Sequence, residues 1–125
     1  MARAGHTYKR THRITGKVLA FDLRAEEAAL IAKARASSSG RAAKTLVKQG
    51  ALRSTISSLR RGTQLSEHAA AGAVSVQVLR GRVRFESDGT QQVAGPGGVV
   101  MFDEDVPHSA TALADSSILI TTAMP

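Results

Sequence analysis

Side chains able to do chemistry are few in these 125 residues: four His, no Cys and no Trp. The missing thiols exclude a disulfide scaffold and a zinc–thiolate site outright. What remains is a pair of imidazoles in the second half of the chain, His68 and His108. Ser75 and Gln77 lie between them, and the acidic run Asp103-Glu104-Asp105 comes just before the second. Imidazole beside hydroxyl suggests nucleophilic catalysis, but a serine needs its base oriented by an acid, and none is placed to complete a triad on Ser75. Imidazoles also bind metals, yet a tight divalent site needs three or four protein donors. Two would hold a metal weakly unless the Gln77 carbonyl, or a carboxylate of Asp103 or Asp105, joined them. The third chemistry is recognition: His68, Gln77 and His108, with Ser75 at the wall, would anchor a small polar ligand by hydrogen bonds. The plain alternative is that all four are hydrogen-bonded lining.

These residues must be positioned by strands. From Arg41 onward short apolar runs alternate with turn signals, the pattern of an all-β sandwich or barrel. Thr45–Val47 and Leu52–Leu59 read as strands, and Gly62-Thr63 turns the chain. In Val74–Leu79 the valines 74, 76 and 78 share one face, and Ser75, Gln77 and Leu79 the other. Arg82–Glu86 follows, then the hairpin signal Asp88-Gly89, a returning strand at Thr90–Val93 and a turn at Gly95-Pro96-Gly97-Gly98. Val99–Phe102 reads as a buried strand, and Ser109–Leu113 and Ser117–Thr122 as the last two. Upstream, Glu26–Ala36 reads as a short helix with acids at its start and Lys33 and Arg35 near its end. Ser37-Ser38-Ser39-Gly40 stops it. A boundary near residue 40 divides the chain into an arm with a helix, 1–40, and a barrel, 41–125.

This order of strands and motifs resembles the cupin superfamily. Gly62, His68 and a strand ending in Val78-Leu79-Arg80-Gly81 resemble its first motif; Gly97, a buried strand and Val106-Pro107-His108 resemble its second. The resemblance covers about residues 41–125, and the runs GRAAKTLVK and LITTAMP are similar to small bacterial cupins. It implies a double-stranded β-helix, or jelly-roll, barrel whose open end holds a ligand pocket, commonly with a metal. It also implies four metal ligands, of which His68 and His108 stand here, while Ala70 and Ser75 occupy the positions of a second His and a Glu. The expectation is a barrel that binds a small polar molecule and holds a divalent metal weakly or not at all. The alternative is a metal-assisted isomerase or oxygenase.

The composition fits a lean barrel. Hydrophobic residues make up 42% of the chain, but Ala is the commonest of them, so the core rests on Val, Ile and Leu. The net charge of +7 belongs to the first half alone: residues 1–61 carry +11 and residues 62–125 carry −4. The densest basic cluster, Lys9-Arg10-Thr11-His12-Arg13, could meet phosphates. With Tyr8 as its only aromatic neighbour and no helix-turn-helix signature, nucleic acid is the weaker reading. Ile14–Leu23 better suits a strand added across a subunit interface, so a homodimer is expected. No apolar run approaches the roughly 18 residues that span a bilayer, and no secretory signal follows the basic start. A soluble cytoplasmic protein is therefore expected.

Overall fold

The computed structural model describes residues 13–125; the side chains of Glu67 and His68, and the whole of residues 1–12, lie outside the described residues. One helix precedes nine strands: α1 (Leu23–Ala36), β1 (Arg41–Gln49), β2 (Leu52–Leu59), β3 (Gln64–His68), β4 (Ala73–Arg80), β5 (Val83–Ser87), β6 (Thr90–Ala94), β7 (Val99–Phe102), β8 (His108–Ala112) and β9 (Ser116–Ala123). They form two antiparallel sheets, a five-stranded one in the order β1-β2-β9-β4-β7 and a four-stranded one in the order β3-β8-β5-β6.

Alternation decides what lies between the sheets. Val74, Val76 and Val78 of β4 and Ile118 of β9 turn inward from the first sheet, against Val83 and Phe85 of β5 and Ala110 of β8 from the second. Phe102 joins them, its ring centroid 6.2 Å from that of Phe85 at an interplanar angle of 56°. Each of these valine, isoleucine and phenylalanine side chains taken out of water contributes about 1.5–3 kcal/mol. The Asp88-Gly89 turn is the hairpin its sequence announces. Both residues have positive φ, +49° and +78°, as a two-residue type I′ connection requires.

A second apolar cluster lies on the outer face of the five-stranded sheet, where α1 covers β1 and β2. The helix starts at Leu23, ahead of the expected Glu26, because the Asp22 carboxylate accepts from the backbone N–H groups of Arg24 and Ala25. Its inner stripe is Glu27, Leu30, Ile31 and Ala34. A bulge between Thr45 and Val47 shifts the register against β2, and Leu46 within it is buried with Leu30 and Ile56. Polar ties complete the attachment: Lys44 Nζ meets Glu26 Oε1 at 2.7 Å, Arg35 Nε meets Asp115 Oδ2 at 2.7 Å, and Arg60 donates to the Arg35 and Ser37 carbonyls.

Two expectations fail here. The expected strand Ile14–Leu23 does not form within this chain: residues 14–22 carry no strand, Phe21 and Leu23 pack in the helix cluster, and Val18 stays 87% exposed. β7 is not buried throughout, since Val99 and Met101 are 58% and 64% exposed on the outer face while Phe102 turns inward. Among the described residues, that side of the sheet is covered where α1 lies, and β7 is beyond its reach.

Candidate functional site

His108 opens β8 and is buried. Its ring lies against Phe102, centroids 4.2 Å apart and planes inclined by 8°. Nδ1 is 3.0 Å from the Val106 carbonyl oxygen, an atom that can only accept, so Nδ1 carries the proton of this bond. In the neutral ring the lone pair then belongs to Nε2. Phe102 and Val106 are therefore the residues that orient the imidazole. Strand pattern alone marks Phe102 as core; the signal for its second role is an aromatic residue at the end of β7, stacked on the histidine.

A cavity of about 30 Å³ lies beside this ring, lined by Val74, Val76, Phe85, Ala110, Ile118 and neighbouring apolar side chains; His108 is its one polar residue among those described. That is room for one or two water-sized groups. Across β3 and β8 the backbone register sets His68 directly opposite His108. The His68 side chain itself lies outside the described residues. Ser75 and Gln77 are not brought to this cavity. They alternate with the inward valines of β4 and sit half-buried on the outer face of the sheet, where Ser75 is flanked in register by Met101 and Thr121. The barrel interior took the valine face, because one methyl-lined wall must oppose Phe85 and Ala110.

The acidic loop is a turn closed on itself. Asp103 Oδ1 accepts from the Glu104 N–H at 2.8 Å, and Asp105, at φ +60°, donates its N–H to the Ala70 carbonyl at 2.8 Å. All three acidic side chains are exposed. Ala70, at the position where the resemblance implies a second His, sets its methyl against the barrel core. Among the described residues no three His, Asp or Glu side chains gather as a metal-binding group. By itself the described imidazole of His108 falls short of the three or four donors that a tightly held divalent metal needs.

No family model matches the chain, and no curated protein matches it. Solved structures do. A conserved protein of unknown function from Streptococcus pyogenes superposes with a TM-score of 0.66 at 22% identity, over 71% of this chain and 78% of the other. A cupin superfamily protein from Desulfitobacterium hafniense gives 0.66 at 18% identity, over 68% and 78%. A cupin 2 conserved barrel domain protein from Leptotrichia buccalis gives 0.65 at 26% identity, over 70% of this chain and 42% of its own. The fold is the cupin fold. No helix among the described residues is long and apolar enough to cross a membrane.

Proposed function

We propose that this chain is a small-molecule-binding cupin in which His108 supplies the polar contact and the barrel core supplies an apolar wall. The single observation that carries this reading is the buried His108 ring, fixed by Phe102 and the Val106 carbonyl, beside an apolar cavity. Because the cavity admits one or two heavy atoms, the ligand would insert one small polar group toward His108 and the backbone position of His68, with its apolar end at the cavity mouth. This narrows the polar ligand expected from the sequence. Ser75 and Gln77 drop out of the ligand-facing set and belong to the outer surface. Metal plays at most a weak part, because His68 and His108 leave the coordination sphere to water.

The test is a saturation-transfer NMR screen of compact molecules bearing one polar group, on the full chain. Hits are expected to be lost in His108→Ala and weakened in Phe102→Leu. Hits that survive both substitutions, or a screen without hits, would count against a barrel site. One equivalent of Fe²⁺, Mn²⁺ or Zn²⁺ retained through purification and lost in His108→Ala would move the assignment to a metal-dependent enzyme.

We also propose a face on which the expected homodimer would form. Val99, Met101, Ser75, Gln77 and Thr121 share the outer face of β4, β7 and β9 beyond the reach of α1, and none of them is charged. A second copy of this chain seated on that strip would cover its apolar area.

A further inference from the structure

A recess lies outside the barrel, where the start of α1 passes the end of β4. It measures about 610 Å³ and is lined by Leu23, Arg24, Glu27, Leu79, Arg80 and Pro96. That volume is in the range of small-molecule sites, roughly 300–1,000 Å³. Its chemistry is unlike that of the barrel. Two guanidiniums and one carboxylate stand among apolar walls.

The carboxylate is already committed. Glu27 is 6% exposed, pairs with Arg80 Nε, and accepts from Ser117 Oγ at 3.2 Å. Ser117 Oγ in turn lies 2.7 Å from Ser58 Oγ. This chain of buried polar groups anchors the Arg80 guanidinium at the recess while leaving its side chain 44% exposed. Arg24 is exposed, and among the described residues its side chain has no carboxylate partner. One positive charge is therefore left over at a recess that Leu23, Leu79 and Pro96 also line, and apolar walls strengthen the field of a charge beside them.

We propose that this recess is a second ligand site, for a small molecule with an oxyanion head, carboxylate or phosphate, on a compact apolar body. Arg24 and the exposed part of Arg80 take the head, since a guanidinium matches the geometry of both anions. Leu23, Leu79 and Pro96 take the body. Glu27 does not touch the ligand; it positions Arg80. The site is independent of the barrel reading, because none of its residues lines the barrel cavity.

The probes are phenyl phosphate and benzoate, with inorganic phosphate and benzyl alcohol as single-feature controls. Each is titrated into the ¹⁵N-labelled full chain and followed by amide chemical shifts. Saturable shifts are expected at Leu23–Glu27 and Leu79–Gly81 for one or both two-featured probes, and benzyl alcohol should leave these amides unmoved. The stronger of the two probes identifies the head group. Arg24→Gln should weaken binding about tenfold or more, the effect of losing one charge-assisted contact. Arg80→Gln leaves Glu27 buried and unpaired, so the paired variant Glu27→Gln/Arg80→Gln carries that arm, and it should lose binding while keeping the wild-type spectrum elsewhere. Inorganic phosphate that binds as tightly as phenyl phosphate would overturn the proposal. So would shifts that scatter over other basic residues, or affinities unchanged in Arg24→Gln.

Discussion

The imidazole of His108 and the ring of Phe102 are stacked nearly parallel, 8° from coplanar and 4.2 Å apart. Phe102 also meets Phe85 at 6.2 Å, so one side chain joins the candidate site to the core of the barrel. The histidine's orientation is thus set by packing on one side and by the Val106 carbonyl on the other. Phe102→Ala is expected to cost about 3–5 kcal/mol, as for other buried phenylalanines, and Phe102→Leu clearly less. Urea denaturation measures both. A loss below about 1 kcal/mol for the alanine variant would mean that Phe102 does not carry the core.

The pair Glu27–Arg80 is asymmetric, with the carboxylate buried and the guanidinium half-exposed. Removing Arg80 strands a charge away from water, whereas removing Glu27 leaves a cation that water can reach. Arg80→Ala should therefore destabilise more than Glu27→Ala, by roughly 3 kcal/mol against 1–2. Glu27→Gln/Arg80→Ala should recover part of the difference. Equal losses for the two single variants would contradict the asymmetry.

Asp115 joins the β8–β9 turn to both the end of α1 and the end of β2. It accepts from Arg35 Nε at 2.7 Å and from the Arg61 backbone N–H at 2.8 Å. The Arg61 N–H bond first, then the Arg35 hydrogen bond and charge, hold its carboxyl below the ordinary carboxylate range. A depressed folded-state pKa means that the ionised form favours the fold. The contribution is complete above the ordinary range and fades as pH falls through the depressed value. Asp115→Ala should melt below the parent at pH 7, and the two Tm curves should converge under acid. Curves that stay parallel down to pH 2 would show that Asp115 acts through something other than its charge.

Gly81 carries φ +83°, and a Cβ there would sit 2.3 Å from Ser116 Oγ and 2.4 Å from the Asp115 carbonyl. The turn between β4 and β5 needs the close approach as well as the left-handed conformation. Gly81→Ala is expected to cost more than about 2 kcal/mol, read by thermal melting. Gly89 makes a useful contrast. Its φ is +78° with no atom within 4 Å of an added Cβ, so Gly89→Ala should show the backbone cost alone.

The assembly reading turns on an exposed position. Met101→Glu places a charge in the uncharged strip without disturbing the core, so stability should change by no more than about 0.5 kcal/mol. Sedimentation should report a dimer for the parent chain and a monomer for the variant. A monomeric parent would remove the strip from consideration.

β4 and β5 were legible because valine and phenylalanine alternate with polar residues, and β2 and β7 begin and end where their apolar residues and flanking turns put them. β3 was not. Its sequence Gln64–His68 holds one large apolar residue, Leu65, and its pairing with β8 supplies the order that propensity does not. The site was half legible. The sequence separates Val74, Val76 and Val78 from Ser75 and Gln77, but which face meets the other sheet is a tertiary fact, and the polar face was read as the inner one. Glu27 had a signal that went unused. It recurs with Leu30, Ile31 and Ala34 on one helical stripe, where a carboxylate must find a partner, and Arg80 lies far along the chain.

β9 is the middle strand of the five-stranded sheet, with β2 on one side and β4 on the other. Hydrogen bonds therefore connect residues 52–59 to 73–80 only through residues 116–123. As the chain leaves the ribosome, β1-β2 and β4-β7 are two hairpin-like fragments with bare edges until that last strand emerges. Those edges are what a nascent neighbour could pair with. Folding must wait for non-local closure, which places it among the slower single barrels. Aggregation during synthesis, more than unfolding of the finished barrel, is then the hazard this topology carries.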